Sequence, residues 1–184
     1  MKRVAILCGG PGSEHEISCL SAAGVLSAID QSKYEPVLIG ITRDGQWLSL
    51  PLDYPLSIEN ELLPSVQGDF PQVIRSRDGF AVADANLAID LIFPVLHGTY
   101  GEDGQLQSDL DQIGIPYVGS GAVASEQAMD KSEAKALFSA AGIAIAPGIT
   151  VTEFEWKNSP EAISQSILHF GLPLFVKASR GGSS

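Results

Sequence analysis

Residues 3–8, apolar without a break after Arg3, end at Gly9 and Gly10, the pattern of a strand buried on both faces of a parallel sheet. Ser13 and Glu16 follow in S-x-x-E spacing, which predicts a capping box, and Ile17, Leu20, Gly24, Val25 and Ala28 then fall on one helical face. Residues 34–42 (YEPVLIGIT) read as a second strand, and Asp44-Gly45 as a tight turn into a short strand around Trp47. Arg77-Asp78-Gly79-Phe80 repeats the hairpin signal. The intervening residues 51–72 are punctuated by proline, which predicts irregular chain with one short helix near 58–63. A further apolar strand is expected over 88–96, ending in His97-Gly98. A helix over 105–113 stops at Gly114, and residues 115–118 are expected to return as a strand.

This alternation predicts a doubly wound α/β domain with a mainly parallel sheet over residues 1–121. A second unit is expected over 122–184. Asp130 and Glu133 stand in capping spacing for a helix running to Ala141 and closed by Gly142, and Pro147 opens an extended segment to Thr152. Ser159-Pro160 starts another helix that reaches Phe170 and ends at Gly171. Residues 174–177 then form an apolar strand that leads into Ser179-Arg180-Gly181-Gly182-Ser183-Ser184.

A chain of 184 residues can bury a proper core without disulfides or metal. Its formal net charge of -11 argues against nucleic acid and anionic membrane as partners, since both demand clustered Lys and Arg. The apolar run after Met1-Lys2-Arg3 is too short for a signal peptide, and no stretch approaches a membrane span. Cys8 and Cys19 alone make no disulfide framework, so the expected compartment is the cytoplasm, with Cys8 a buried small hydrophobe.

Three strings carry candidate chemistry. The glycine-rich turn at Gly9–Ser18 fails as a dinucleotide fingerprint, because His15 stands where the third glycine of G-x-G-x-x-G is needed and Thr42-Arg43 replace the ribose-binding acid. It leaves Glu14, a carboxylate at a helix start that could hold a substrate ammonium. His97 follows a strand and is expected on the same carboxyl edge of the sheet, where ligands of open α/β sheets bind. Glu102 and Asp103 read as ordinary N-terminal residues of the next helix, and Tyr100 is assigned no role. Lys131, and Lys177 before Gly181, Gly182, Ser183 and Ser184, could serve phosphate, because successive N–H groups of a glycine-rich loop make an anion site. The Walker sequence is absent, so any ATP site is of another type.

In order and spacing, GGPGSEHEIS, YEPVLIGITRDGQW, VLHGTYGEDGQLQ, IPYVGS, MDK and VKASRGGSS resemble the D-alanine D-alanine ligase family of ATP-grasp enzymes. The resemblance spans residues 1–184 and is weakest over 51–84. It implies a pre-ATP-grasp α/β domain followed by an incomplete ATP-grasp α+β domain, ending inside the glycine-rich loop. It further implies ATP-dependent joining of two D-alanines through an acyl phosphate, with Mg2+, or Mn2+ in its place, held by residues beyond Ser184. By the same resemblance Glu14 grips the first D-alanine's ammonium and His97 helps bind that substrate. Lys131 and Lys177 contact ATP phosphates within a nucleotide site that includes Gly181, Gly182, Ser183 and Ser184. Ser183 also bonds toward the active-site acid and orders a lid. Ala178 departs from the family's usual proline, and Gly182 from a position often polar, which implies a looser loop. The family also implies a homodimer through the N-terminal domain. Two rivals remain at this point: a D-alanine D-lactate ligase, and a non-catalytic nucleotide-binding or small-molecule-binding module. The chain alone is expected to be inactive and its second unit looser than its first.

Overall fold

The computed structural model describes residues 1–181. Its core is a four-stranded sheet in the order β3-β2-β1-β7, from β1 (Lys2–Gly9), β2 (Tyr34–Ile41), β3 (Trp47–Leu50) and β7 (Leu91–Pro94). Strand β1 runs parallel to both β2 and β7, while β3 turns back antiparallel on β2. A second small sheet, β4 (Val73–Ser76), β5 (Gly79–Val82) and β6 (Ala85–Asn86), is antiparallel throughout. The expected fold class is borne out. The sheet is mixed and mostly parallel, with helices added.

Alternation along β1 explains why both sheet faces must be covered. Ala5 and Leu7 enter one core with Trp47, Phe80 and Leu106, Leu110 and Ile113 of α2 (Gln105–Ile113). Ile6 and Cys8 enter the other with Cys19 and Ala22 of α1 (His15–Ala28), Leu50, Leu56 and Val66. Both cysteines are free and fully buried. The Cys8 thiol, hydrogen-bonded to Cys19 and desolvated, is held well above its ordinary range.

Several expectations are corrected. Helix α1 has Glu14 at its N-cap without a side-chain cap, because Glu16 is drawn into an ion pair with Arg43 and the Ser13–Glu16 box does not form. Its buried residues are His15, Ser18, Cys19 and Ala22, whereas Ile17, Gly24 and Ala28 are exposed. Residues 58–63 make no helix but a tight bridge between Glu59 and Leu62, with Asn60 and Glu61 both at positive φ. The strand expected over 88–96 is confined to β7, since Asp90 turns to accept from the Arg3 backbone N–H at 2.7 Å. From 115–118 only Tyr117 pairs, with Ile92.

A division falls after Glu126, and a second unit begins at Gln127. Helix α3 (Ala122–Met129), absent from the sequence reading, precedes α4 (Lys131–Ala140), α5 (Glu153–Asn158) and α6 (Pro160–Leu168). Asp130 caps α4 as expected, accepting from the N–H groups of Ser132 and Glu133. Thr152 and Glu155 form the capping box of the unforeseen α5. Residues 174–177 form no strand, and Phe175 and Val176 stand exposed. No β-ladder includes this segment among the described residues.

Candidate functional site

Because β2 and β7 lie on opposite sides of β1, the chain reverses its direction of winding between β1 and β7. The carboxyl ends of two such parallel strands diverge and leave a crevice between their loops. The loop after β1 leads to Glu14, and the loop after β7 carries His97. Two glycines let these loops approach closely. A Cβ on Gly12 would lie 3.2 Å from Thr99 O, and one on Gly98 would overlap Glu14 Oε2. Gly98, at φ +67, thus provides both the left-handed turn and the space that the Glu14 carboxylate occupies.

Inward-facing polar residues of α1 hold these loops in place. Ser18 Oγ accepts from Gly9 N at 2.9 Å and donates to Val95 O at 2.8 Å, bridging the ends of β1 and β7. His15 Nδ1 donates to Gly10 O at 2.7 Å, while its Nε2 accepts from Val66 N at 2.9 Å. Both ring nitrogens are committed to backbone, so His15 is a structural strut with nothing left for a ligand. His97 is different. Its Nε2 meets Ser21 Oγ at 2.9 Å, and its Nδ1 makes no hydrogen bond with the described residues. His15, Ser18 and Ser21 were missed by the sequence reading. The available signal was their i, i+3 spacing on the helix face next to two strand ends.

The β7 loop is braced by its own acids. Glu102 Oε2 accepts from Gly98 N at 2.9 Å, and Asp103 Oδ2 from Tyr100 N at 3.0 Å. These two therefore secure the turn around His97; Gly104 is the N-cap residue of α2, and Asp103 Oδ1 also accepts from the N–H of its first residue, Gln105, at 3.1 Å, the helix-start role expected of it. Tyr100, expected to have no role, adopts φ 73 and donates its hydroxyl to Asp109 at 3.1 Å. Burial and the Asp109 carboxylate push that phenol up to about 12. Arg43 pairs with Glu16 and donates to Gly12 O, an exposed arrangement worth little energy.

Ser18→Ala offers a direct check of this framework. It removes the acceptor of buried Gly9 N and the donor to Val95 O. A cost of about 1–3 kcal/mol is expected, measured as a lower urea midpoint with unchanged slope; an unaltered midpoint would mean that the bridge is dispensable.

In the second unit, Lys131 N donates to Ser179 O at 3.0 Å and Ser179 Oγ donates to Asp130 Oδ1 at 2.7 Å. The start of α4 is thereby tied to the segment that carries Lys177. Hydrogen bonds from Ser132 and Ser179 hold the Asp130 carboxyl well below the usual carboxylate range. Gly181 is exposed and in no regular element. Gly182, Ser183 and Ser184 lie outside the described residues. Among the described residues no group of three or more His, Cys, Asp or Glu could hold a metal ion, and no helix is long and apolar enough to cross a membrane.

Fold and strand order together define an open α/β domain that carries an acid and a histidine on the loops at its topological switch point. More particularly, the chain belongs to the family described as D-ala D-ala ligase N-terminus, which matches residues 3–120. A D-alanine--D-alanine ligase of Arthrobacter sp. (strain FB24) is 42% identical over 193 residues, covering 99% of this chain and 50% of the relative. Among solved structures, VanG D-Ala:D-Ser ligase from Enterococcus faecalis superposes with a TM-score of 0.78 at 33% identity, covering 99% of this chain and 53% of that one. D-alanine--D-alanine ligase from Bacillus anthracis complexed with ATP gives a TM-score of 0.63 at 27% identity, covering 98% and 48%. The chain spans about half the length of the curated relatives it matches.

Proposed function

We propose that this chain is the substrate-binding half of an ATP-dependent ligase that joins two D-alanines for peptidoglycan precursors. The observation that carries this reading is the packing of the Glu14 carboxylate against Gly98, beside His97, at the switch point. A carboxylate offers oxygens that accept charge-assisted hydrogen bonds from an ammonium. Glu14 therefore holds the ammonium of the first D-alanine, and His97 adds a second polar contact. Residues 1–121 form the substrate-binding domain, and 122–184 begin the ATP-grasp domain. ATP transfers its γ-phosphoryl group to the carboxylate of the held D-alanine, releasing ADP and leaving an acyl phosphate; the amine of a second D-alanine attacks the carbonyl carbon, loses a proton and expels phosphate. This chain's part is positioning: Glu14 and His97 fix the first amino acid, while Lys131 and Lys177 neutralise phosphate charge.

Gly181, Gly182, Ser183 and Ser184 add N–H and hydroxyl donors to phosphate, and Ser183 orders the lid that keeps water from the intermediate. Mg2+, held by residues outside this chain, would supply positive charge that offsets the phosphates. Among the described residues no cluster of three or more His, Cys, Asp or Glu is placed to hold it. The compartment is the cytoplasm, in keeping with two free buried thiols. Partners are D-alanine, ATP and a second copy of the chain as a homodimer through the first domain. Likeness to a D-Ala:D-Ser ligase favours a second reading, in which another D-amino acid takes the second position.

In a version extended to the length of its relatives, Glu14→Gln is expected to raise the D-alanine concentration required at the first site by about ten- to a hundredfold, the loss of a charge-assisted bond worth roughly 1.5–3 kcal/mol. Its ATP dependence should be little changed. Steady-state kinetics in each substrate decides the matter, and an unchanged D-alanine dependence removes Glu14 from the site.

A further inference from the structure

We infer that Ser21 is a positioning residue that fixes the ring proton of neutral His97 on Nε2, so that Nδ1 faces its ligand as a hydrogen-bond acceptor for a primary ammonium. The inference about the proton stands on geometry alone. Its ligand half rests on the proposed substrate-binding role of His97.

Ser21 lies on α1, two turns beyond Glu14, and its hydroxyl has two neighbours. Oγ is 2.9 Å from Ile17 O, one turn back, and 2.9 Å from His97 Nε2. A hydroxyl has one proton. Two oxygens at 2.9 Å attract only if a proton lies between them, and the Ile17 carbonyl oxygen has none to give. The Ser21 proton is therefore directed to Ile17 O, and Oγ turns a lone pair toward the ring. Nε2 must then supply the proton for its own contact, which makes His97 the Nε2–H tautomer when neutral. The second nitrogen of a neutral imidazole is an acceptor. Nδ1 has no hydrogen-bond partner among the described residues, so its lone pair is free for a ligand.

This assignment narrows what His97 recognises. A neutral ring with a bare Nδ1 offers nothing to a carboxylate, which also only accepts. It does suit an ammonium, whose three N–H donors can be divided between Nδ1 and the Glu14 carboxylate beside Gly98. Ser21 would thus set which end of an amino acid the histidine reads.

His15 supplies an internal contrast. Its Nδ1 faces the Gly10 carbonyl and its Nε2 faces the Val66 N–H, which requires the opposite tautomer. One nitrogen-15 spectrum of the histidine rings in this chain, with His97→Gln to assign the signals, should show His97 protonated on Nε2 and His15 on Nδ1. Ser21→Ala should convert His97 to a tautomer mixture without changing His15, and Ser21→Thr should restore the single form. A His97 proton on Nδ1, or an Ser21→Ala spectrum identical to the parent, overturns the inference. Adding D-alanine to saturation should shift the Nδ1 signal of His97 and leave Nε2 protonated. If the tautomer is as inferred but Nδ1 does not respond to D-alanine, the proton assignment is upheld and the substrate role of His97 is overturned.

Discussion

Phe80→Ala is expected to destabilise the first unit by about 3–5 kcal/mol, the usual cost of deleting a buried aromatic ring. Phe80 is 1% exposed on β5 and meets Trp47 of β3 with ring centroids 5.7 Å apart, so one side chain joins the small sheet to the main one. Arg75 lies over the other partner, its guanidinium carbon 4.6 Å from the Trp47 ring centroid. Loss of Phe80 therefore leaves a cavity and also loosens the tilted aromatic pair over which the Arg75 guanidinium sits. Domains of this kind are stable by only about 5–15 kcal/mol, so a large part of the margin is at stake. With a urea slope of about 2 kcal/mol per molar, the midpoint should fall by roughly 2 M. Phe80→Leu, which retains most of the volume, should cost much less. Equal midpoints for the two variants would show that the ring is not the joint between the sheets.

The features most legible in the sequence were those that repeat a single physical rule. Residues 3–8 and 34–42 read as strands because each carries a continuous apolar stretch, 4–8 in the first and 38–41 in the second, that is buried in the sheet. Gly114 ended α2 as expected, at φ 78, because only glycine adopts the left-handed conformation without strain. Asp130 capped α4 through its oxygen geometry. Failures arose where one residue had two competing partners. Glu16 could close a capping box or pair with Arg43, and the contact with Arg43, distant in sequence, prevailed. His15 and Ser18 look solvent-directed in a hydrophobic pattern, yet they turn inward because strand-end N–H and carbonyl groups require partners there. Both Glu14 and His97 were recognisable as residues following strands. Their proximity was a consequence of strand order, which no local pattern records: β7 is β1's neighbour although some eighty residues separate them.

Gly98→Ala should have the largest effect on ligand binding of any single methyl group added to this chain. Two penalties coincide at this position. An L side chain at φ +67 is strained by about 1–2 kcal/mol, and the new Cβ would overlap Glu14 Oε2, so that carboxylate must leave its place. Gly114→Ala is the natural control, because Gly114 has a similar φ of +78 with nothing within 4 Å of an added Cβ. Both variants should lose a comparable amount of stability from backbone strain. Only Gly98→Ala should also forfeit the contact with ammonium proposed for Glu14, a further loss of about 1.5–3 kcal/mol in D-alanine affinity. In a version of relatives' length, D-alanine binding should thus weaken by about ten- to a hundredfold for Gly98→Ala and remain near the parent value for Gly114→Ala. Adding Glu14→Gln to Gly98→Ala should cause little further loss, since the two changes remove one interaction and couple accordingly. Fully additive losses would mean that Glu14 still reaches the ligand in the alanine variant, and that the space beside Gly98 does not hold the carboxylate in its binding position.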